Sequence, residues 1–180
     1  LEYLHINEDE GDFERTRQLH SEIMKHASDI VKGEVGNMVV QHSLLMIQWE
    51  IASHAERDNG VWVSLRSDLL SLGLQLLQSM EAEDTTRWQC HFIARCIDIL
   101  SYSTLLRDAD LKEHRRTYVD CLLGNQENLL VRLSCDAPGR MVMLRGSQLC
   151  NSEELTRLGK LCVKKKIKMN FQQATGPPSK

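Results

Sequence analysis

Apolar residues return every three or four positions along most of this chain, the spacing that gathers them on one side of an α-helix. Leu19, Ile23, Met24, Ala27, Ile30 and Val31 form one such stripe in a helix expected to begin near Asp12, and Gly33 stands where that helix should end in a left-handed turn. A second helix is expected over 37–55. Its apolar set of Met38, Val39, Leu44, Leu45, Ile47, Trp49, Ile51 and Ala52 is wider than one stripe, which implies burial between neighbours on two sides. Asp58-Asn59-Gly60 breaks the pattern. The third helix, over 62–80, is the most apolar, carrying Leu65, Leu69, Leu70, Leu72, Leu74, Leu76 and Leu77, and is expected at the centre of the core.

The polar stretch 81–86 precedes a fourth helix with Trp88, Phe92, Ile93, Cys96, Ile97, Ile99 and Leu100 inward, and 102–108 is expected as a loop. Asp110 with Glu113 suggests a capping box for a fifth helix over 111–123, closed by Gly124-Asn125. A shorter segment over 126–133 is apolar at Leu129, Leu130, Val131 and Leu133. After Asp136-Ala137-Pro138-Gly139 the pattern weakens, and Met141 to Leu144 fits either a helical turn or an extended strip. Asn151 with Glu154 gives another capping pattern, for a last helix over 152–163.

These elements predict an all-α fold of antiparallel helical pairs, either a HEAT-like α-solenoid or a compact bundle. The expected division is an acidic segment over 1–11 with Glu8, Asp9 and Glu10, a helical-repeat domain over 12–163, and a basic, mobile tail over 164–180 ending in Gly176-Pro177-Pro178.

Composition narrows the class. With three prolines and ten glycines in 180 residues, turns are too few for a strand-and-turn protein. A net charge of -3 creates no global field toward nucleic acid or anionic lipid. No apolar run of spanning length and no basic-then-apolar leader is present, and the opening on Leu1 reads as a piece of a longer chain. Cys90, Cys96, Cys121, Cys135, Cys150 and Cys162 make no C-x-x-C pair and several fall on apolar faces, so reduced thiols inside a cell are expected.

Candidate chemistry is sparse. The phosphate-loop, dinucleotide, zincin and nucleophile-elbow strings are all missing. Cys90-His91 with Cys96 lacks the second ligand pair of a zinc site. His42, His54 and His114 have no matched partner in sequence, and His114-Arg115-Arg116 reads as a solvated basic face. The Lys164-Lys165-Lys166 and Lys168 run has only Phe171 as a stacking group and reads first as a solvated end; a nucleic-acid-binding domain using it with Arg115-Arg116 is the alternative reading. Trp49, Trp62 and Trp88 are large anchors for helix packing, with an interface role open to any of them.

Pro138-Gly139-Arg140-Met141-Val142-Met143-Leu144-Arg145-Gly146, followed by an acidic helical segment from Asn151-Ser152-Glu153-Glu154 to Leu161-Cys162, resembles the C-terminal end of the ATRIP family. Upstream, Leu44-Leu45-Met46-Ile47-Gln48-Trp49, and Ser64-Leu65-Arg66 leading into a leucine-rich helix, are similar to stretches of the same family. The likeness is discontinuous over the last three-quarters of the chain. It departs in the long insertion between Tyr102 and Asp136 and in the basic rather than acidic end.

The resemblance implies a non-catalytic regulatory subunit whose helical domain docks on the N-terminal helical solenoid of a large ATR-like checkpoint kinase. The setting it implies is the nucleus, in DNA-damage and replication-stress signalling, with the family's coiled coil lying upstream. Trp49, Pro138, Gly139, Met141, Leu144, Arg145 and Gly146 are then the contact residues. No cofactor, metal, small-molecule substrate, membrane contact or direct DNA contact is expected, and a homodimer within a larger assembly is left open.

Overall fold

The computed structural model describes residues 10–53, 60–80, 86–102, 109–124 and 128–167. Among them the chain is all-helical, as the periodicity predicts. The helices are α1 (Glu10–Ile30), α2 (Glu34–Ser53), α3 (Gly60–Ser79), α4 (Arg87–Tyr102), α5 (Ala109–Leu123), α6 (Leu129–Ser134), α7 (Ala137–Leu149) and α8 (Ser152–Lys164).

Each of the first three helices packs on the next and on the next but one, which sorts the helices into two layers. Helices α1, α3, α5 and α8 form one layer and α2, α4 and α7 the other, with α6 lying against α7. The core runs between the layers through Leu44, Ile47, Trp62, Leu69, Leu77, Phe92, Ile97, Tyr118, Leu122 and Val142. Helix α3 sits at its centre, touching α1, α2, α4 and α5. Its Gly73 admits the Tyr118 hydroxyl, which donates to Leu70 O at 2.7 Å, and a Cβ there would collide with that oxygen and with Cys96 Sγ.

The ends of the helices explain several departures from the expected pattern. No described glycine has a positive φ, so Gly33 does not end α1 in a left-handed turn; its N–H bonds Ile30 O at 3.3 Å instead. The tight approach is at Gly36, where a Cβ would strike the Ile30 backbone. Beside it, buried Asn37 donates to Val31 O at 3.1 Å and to Trp88 O, tying the α1–α2 corner to α4. Asp110 lies inside α5 rather than capping it, because its carboxylate is drawn to Arg66. The run from Asp136 to Gly139 opens α7 instead of breaking the helical pattern: Asp136 accepts from the Gly139 N–H at 2.7 Å, and Pro138 occupies the first turn. Helix α8 carries the full capping box between Asn151 and Glu154.

The start of the expected basic tail is part of this structure. Lys166 (φ 58°), with Lys166 N–H on Val163 O at 3.0 Å and Ile167 N–H on Cys162 O at 2.9 Å, makes a Schellman cap on α8 that seats Ile167 against the core. Lys168, Phe171 and Gly176-Pro177-Pro178 lie outside the described residues. So do Glu8 and Asp9, His54, Asp58-Asn59, residues 81–85, residues 103–108 of the loop expected over 102–108, and the start of the segment expected from Gln126; Tyr102 itself is the last residue of α4.

Candidate functional site

The stripe expected on α1 faces inward except at Leu19: Ala27 and Val31 are buried and Ile23, Met24 and Ile30 pack against the core. His20, Ala27 and Val31 are inside, His20 standing edge-on to Trp62 at 5.6 Å, whereas Leu19 is 60% exposed. On α2 more of the expected apolar set is exposed, and that bears on where a partner could bind. Val40, Leu44 and Ile47 face α3 and α4, but Val35, Met38, Val39, Leu45 and Trp49 remain 75, 65, 40, 40 and 56% exposed. The expectation that α2 is buried on two sides is therefore overturned. Its second apolar side faces solvent, because α2 closes the α2–α4–α7 layer and no described helix packs beyond it. At the far end of the other layer, α8 leaves a second, narrower strip open: Leu155 and Val163 are exposed, and Gly159 between them meets nothing within 4 Å.

The polar side chains inside the molecule are engaged in holding helices together. Arg66 has no exposed surface; it donates to Asp110 Oδ2 at 3.1 Å and to Gln48 Oε1 at 3.2 Å. Beside it Ser67 Oγ lies 2.8 Å from His114 Nε2, and Asp110 Oδ1 lies 3.7 Å from the same nitrogen. A serine–histidine–aspartate relay needs the carboxylate on Nδ1, so that Nε2 is left to act as base. Here serine and carboxylate share one nitrogen, and the arrangement is a three-helix polar clasp. Two shallow surface depressions lie elsewhere, one between Arg17, Glu22, Lys25 and Val61, the other on α8 between Glu153, Arg157 and Lys160.

The strip around α7 is likewise packed. Arg145 pairs with Asp98 of α4, Gly139 is buried where a Cβ would meet Leu133 O, and Gly146 is buried against Leu122. Pro138, Met141 and Leu144 are half-buried, Met141 against the core. Of the residues singled out by the resemblance, α7 thus gathers six into one packed helix, and Trp49 stands on the open face of α2. Trp62 is core and Trp88 is half-buried under the Arg87 guanidinium, 4.1 Å from its ring. On α6, Leu129, Leu130 and Leu133 are buried and Val131 is exposed.

The pair Arg115-Arg116 does not form one basic face. Arg115 donates to Leu149 O and lies 3.7 Å from Glu154, joining α5 to α7 and α8, while Arg116 alone points outward. Among the described residues no group of three His, Cys, Asp or Glu is placed to hold a metal ion. Cys90 and Cys96 are buried, and Cys96 Sγ is turned toward Leu69 O. Burial pushes the Cys90, Cys121 and Cys150 thiols up to about 11 and Cys96 to about 12, so these thiols pack as small hydrophobes. No described helix is long and apolar enough to cross a membrane.

The sequence carries a signal for the clasp: Arg66 shares its helical stripe with Trp62, Leu69, Leu70 and Gly73, all buried. Compared with family models, curated proteins and solved structures, the chain matches none.

Proposed function

We propose that this chain is a non-catalytic regulatory or scaffold module that works by holding other proteins. The observation carrying this reading is the pair of open apolar strips, on α2 and on α8, at opposite ends of a two-layer helical stack. Helical stacks expose apolar surface where the next repeat would sit, and covering it with another helical protein removes that surface from water. Five large apolar side chains along one helix exceed the scattered exposure ordinary for a soluble surface. The partner class comes from the resemblance to the ATRIP family: the N-terminal helical solenoid of an ATR-like checkpoint kinase, in nuclear DNA-damage signalling.

Co-purification with that kinase region tests the reading. Wild-type chain is retained, and glutamate introduced on one strip (Leu45→Glu with Trp49→Glu, or Leu155→Glu with Val163→Glu) abolishes retention. No retention of the wild type, or full retention by both double variants, overturns it.

A further inference from the structure

We propose that α1 is an acid-released latch: protonation of His20 detaches it from the Trp62 side of α3 while the rest of the helical stack holds. His20 keeps only 6% of its surface exposed, its ring stands edge-on to Trp62, and its Nδ1 is buried with no hydrogen-bond partner. A neutral imidazole can leave one acceptor nitrogen bare in an apolar seat. An imidazolium carries an N–H on both nitrogens and a full charge, and each of these needs a partner.

The seat offers no anion to that charge. Helices α2 and α3 pack against α1. Their charged and titratable groups are Glu34, His42 and Glu50 on α2 and Arg66 and Asp68 on α3; of these His42 alone acts on the ring, and its charge repels. On α1 itself the carboxylates of Glu14 and Glu22 are turned to Arg17 and Lys25. The protonated ring therefore finds its partners in water, outside the seat.

Helix α1 is also lightly held. Of its described side chains His20 and Ala27 are the buried ones, with Ile23, Met24 and Ile30 half-buried, whereas α3 buries a whole side from Trp62 to Leu77. The depression lined by Arg17, Ser21 and Lys25 of α1 and by Val61 and Leu65 of α3 leaves their boundary open to solvent. At the other end Asn37 keeps hold of Val31 O, so the corner after α1 serves as the hinge. An element with few buried contacts opens at lower free energy than the whole fold. Once released, the ring takes its proton at the ordinary pKa of about 6.5; burial holds the seated ring below that, so falling pH favours release.

Amide hydrogen exchange of the full chain at pH 7.5 and 5.5, corrected for the intrinsic pH dependence of exchange, is the test. Protection over α1 falls by up to about tenfold at pH 5.5, the ratio set by proton binding to a free ring, while α4 and α7 keep theirs. His20→Phe and His20→Gln, neither of which titrates, each remove the drop; where one of them loses helicity at pH 7.5, the other decides. His26→Gln, on the exposed side of the same helix, leaves the drop in place. In the wild type alone, an α1 as well protected at pH 5.5 as at 7.5, or protection lost equally over α1, α4 and α7, overturns the proposal. So does a drop that survives in a folded His20 variant or vanishes with His26→Gln.

Discussion

Lys166 holds a left-handed backbone conformation, φ 58°, that a side chain disfavours and glycine adopts freely. It does so because the Schellman bonds and the seating of Ile167 fix the turn. Lys166→Gly is therefore expected to raise stability by about 1 kcal/mol in urea unfolding, less the extra freedom glycine gains when unfolded. His20 carries a sign for pH. Burial first, and then the charge of His42, lower its pKa below the ordinary value, so the fold favours the neutral ring. The unfolded chain binds that proton more readily; the stability His20 confers is present above its unfolded pKa of about 6.5 and falls as pH drops below it. His20→Phe should flatten the pH dependence of stability in that window, and an unchanged slope would assign the acid sensitivity elsewhere. Thiol labelling of the native protein should modify exposed Cys135 quickly, with Cys90, Cys96 and Cys121 reacting only on unfolding.

At the scale of the element, Asn37 shows how one polar side chain positions two helices. It joins the end of α1 to the start of α4 through Val31 O and Trp88 O, with almost no exposed surface. Asn37→Leu leaves two carbonyls without that donor and should cost about 2 kcal/mol, seen as a lower urea midpoint without loss of helicity. Asp110→Ala removes the carboxylate facing the buried Arg66 guanidinium and should cost about 2–3 kcal/mol in urea unfolding.

Helix identity was legible in the sequence because period and capping residues are local: Asn151 and Glu154 announce α8, and Leu65 to Leu77 announce α3. Which side of a helix faces inward depends on what lies beyond it, and that is not local. Met38, Val39, Leu45 and Trp49 look like core from sequence, yet face solvent because the layer stops at α2. Asp110 and Glu113 have cap spacing, but the charge of Arg66, 44 residues away in sequence, takes the carboxylate.

For the molecule as a whole, the longest run of exposed apolar side chains among the described residues lies on α2, where one layer stops, and charged pairs join neighbouring helices. Arg66–Asp110, Arg145–Asp98 and Arg115–Glu154 each bridge different helices, which stiffens the stack. The candidate contact residues in the Pro138 to Gly146 stretch were legible as a unit but not as a packed one, since the burial of Gly139 and Gly146 depends on Leu133 and Leu122. Backbone amide exchange on the chain with and without the kinase solenoid region bears most directly on the scaffold reading. Slowed exchange confined to α2 or α8 is the predicted result. Slowed exchange elsewhere with both strips unchanged, or no change at all, would contradict it.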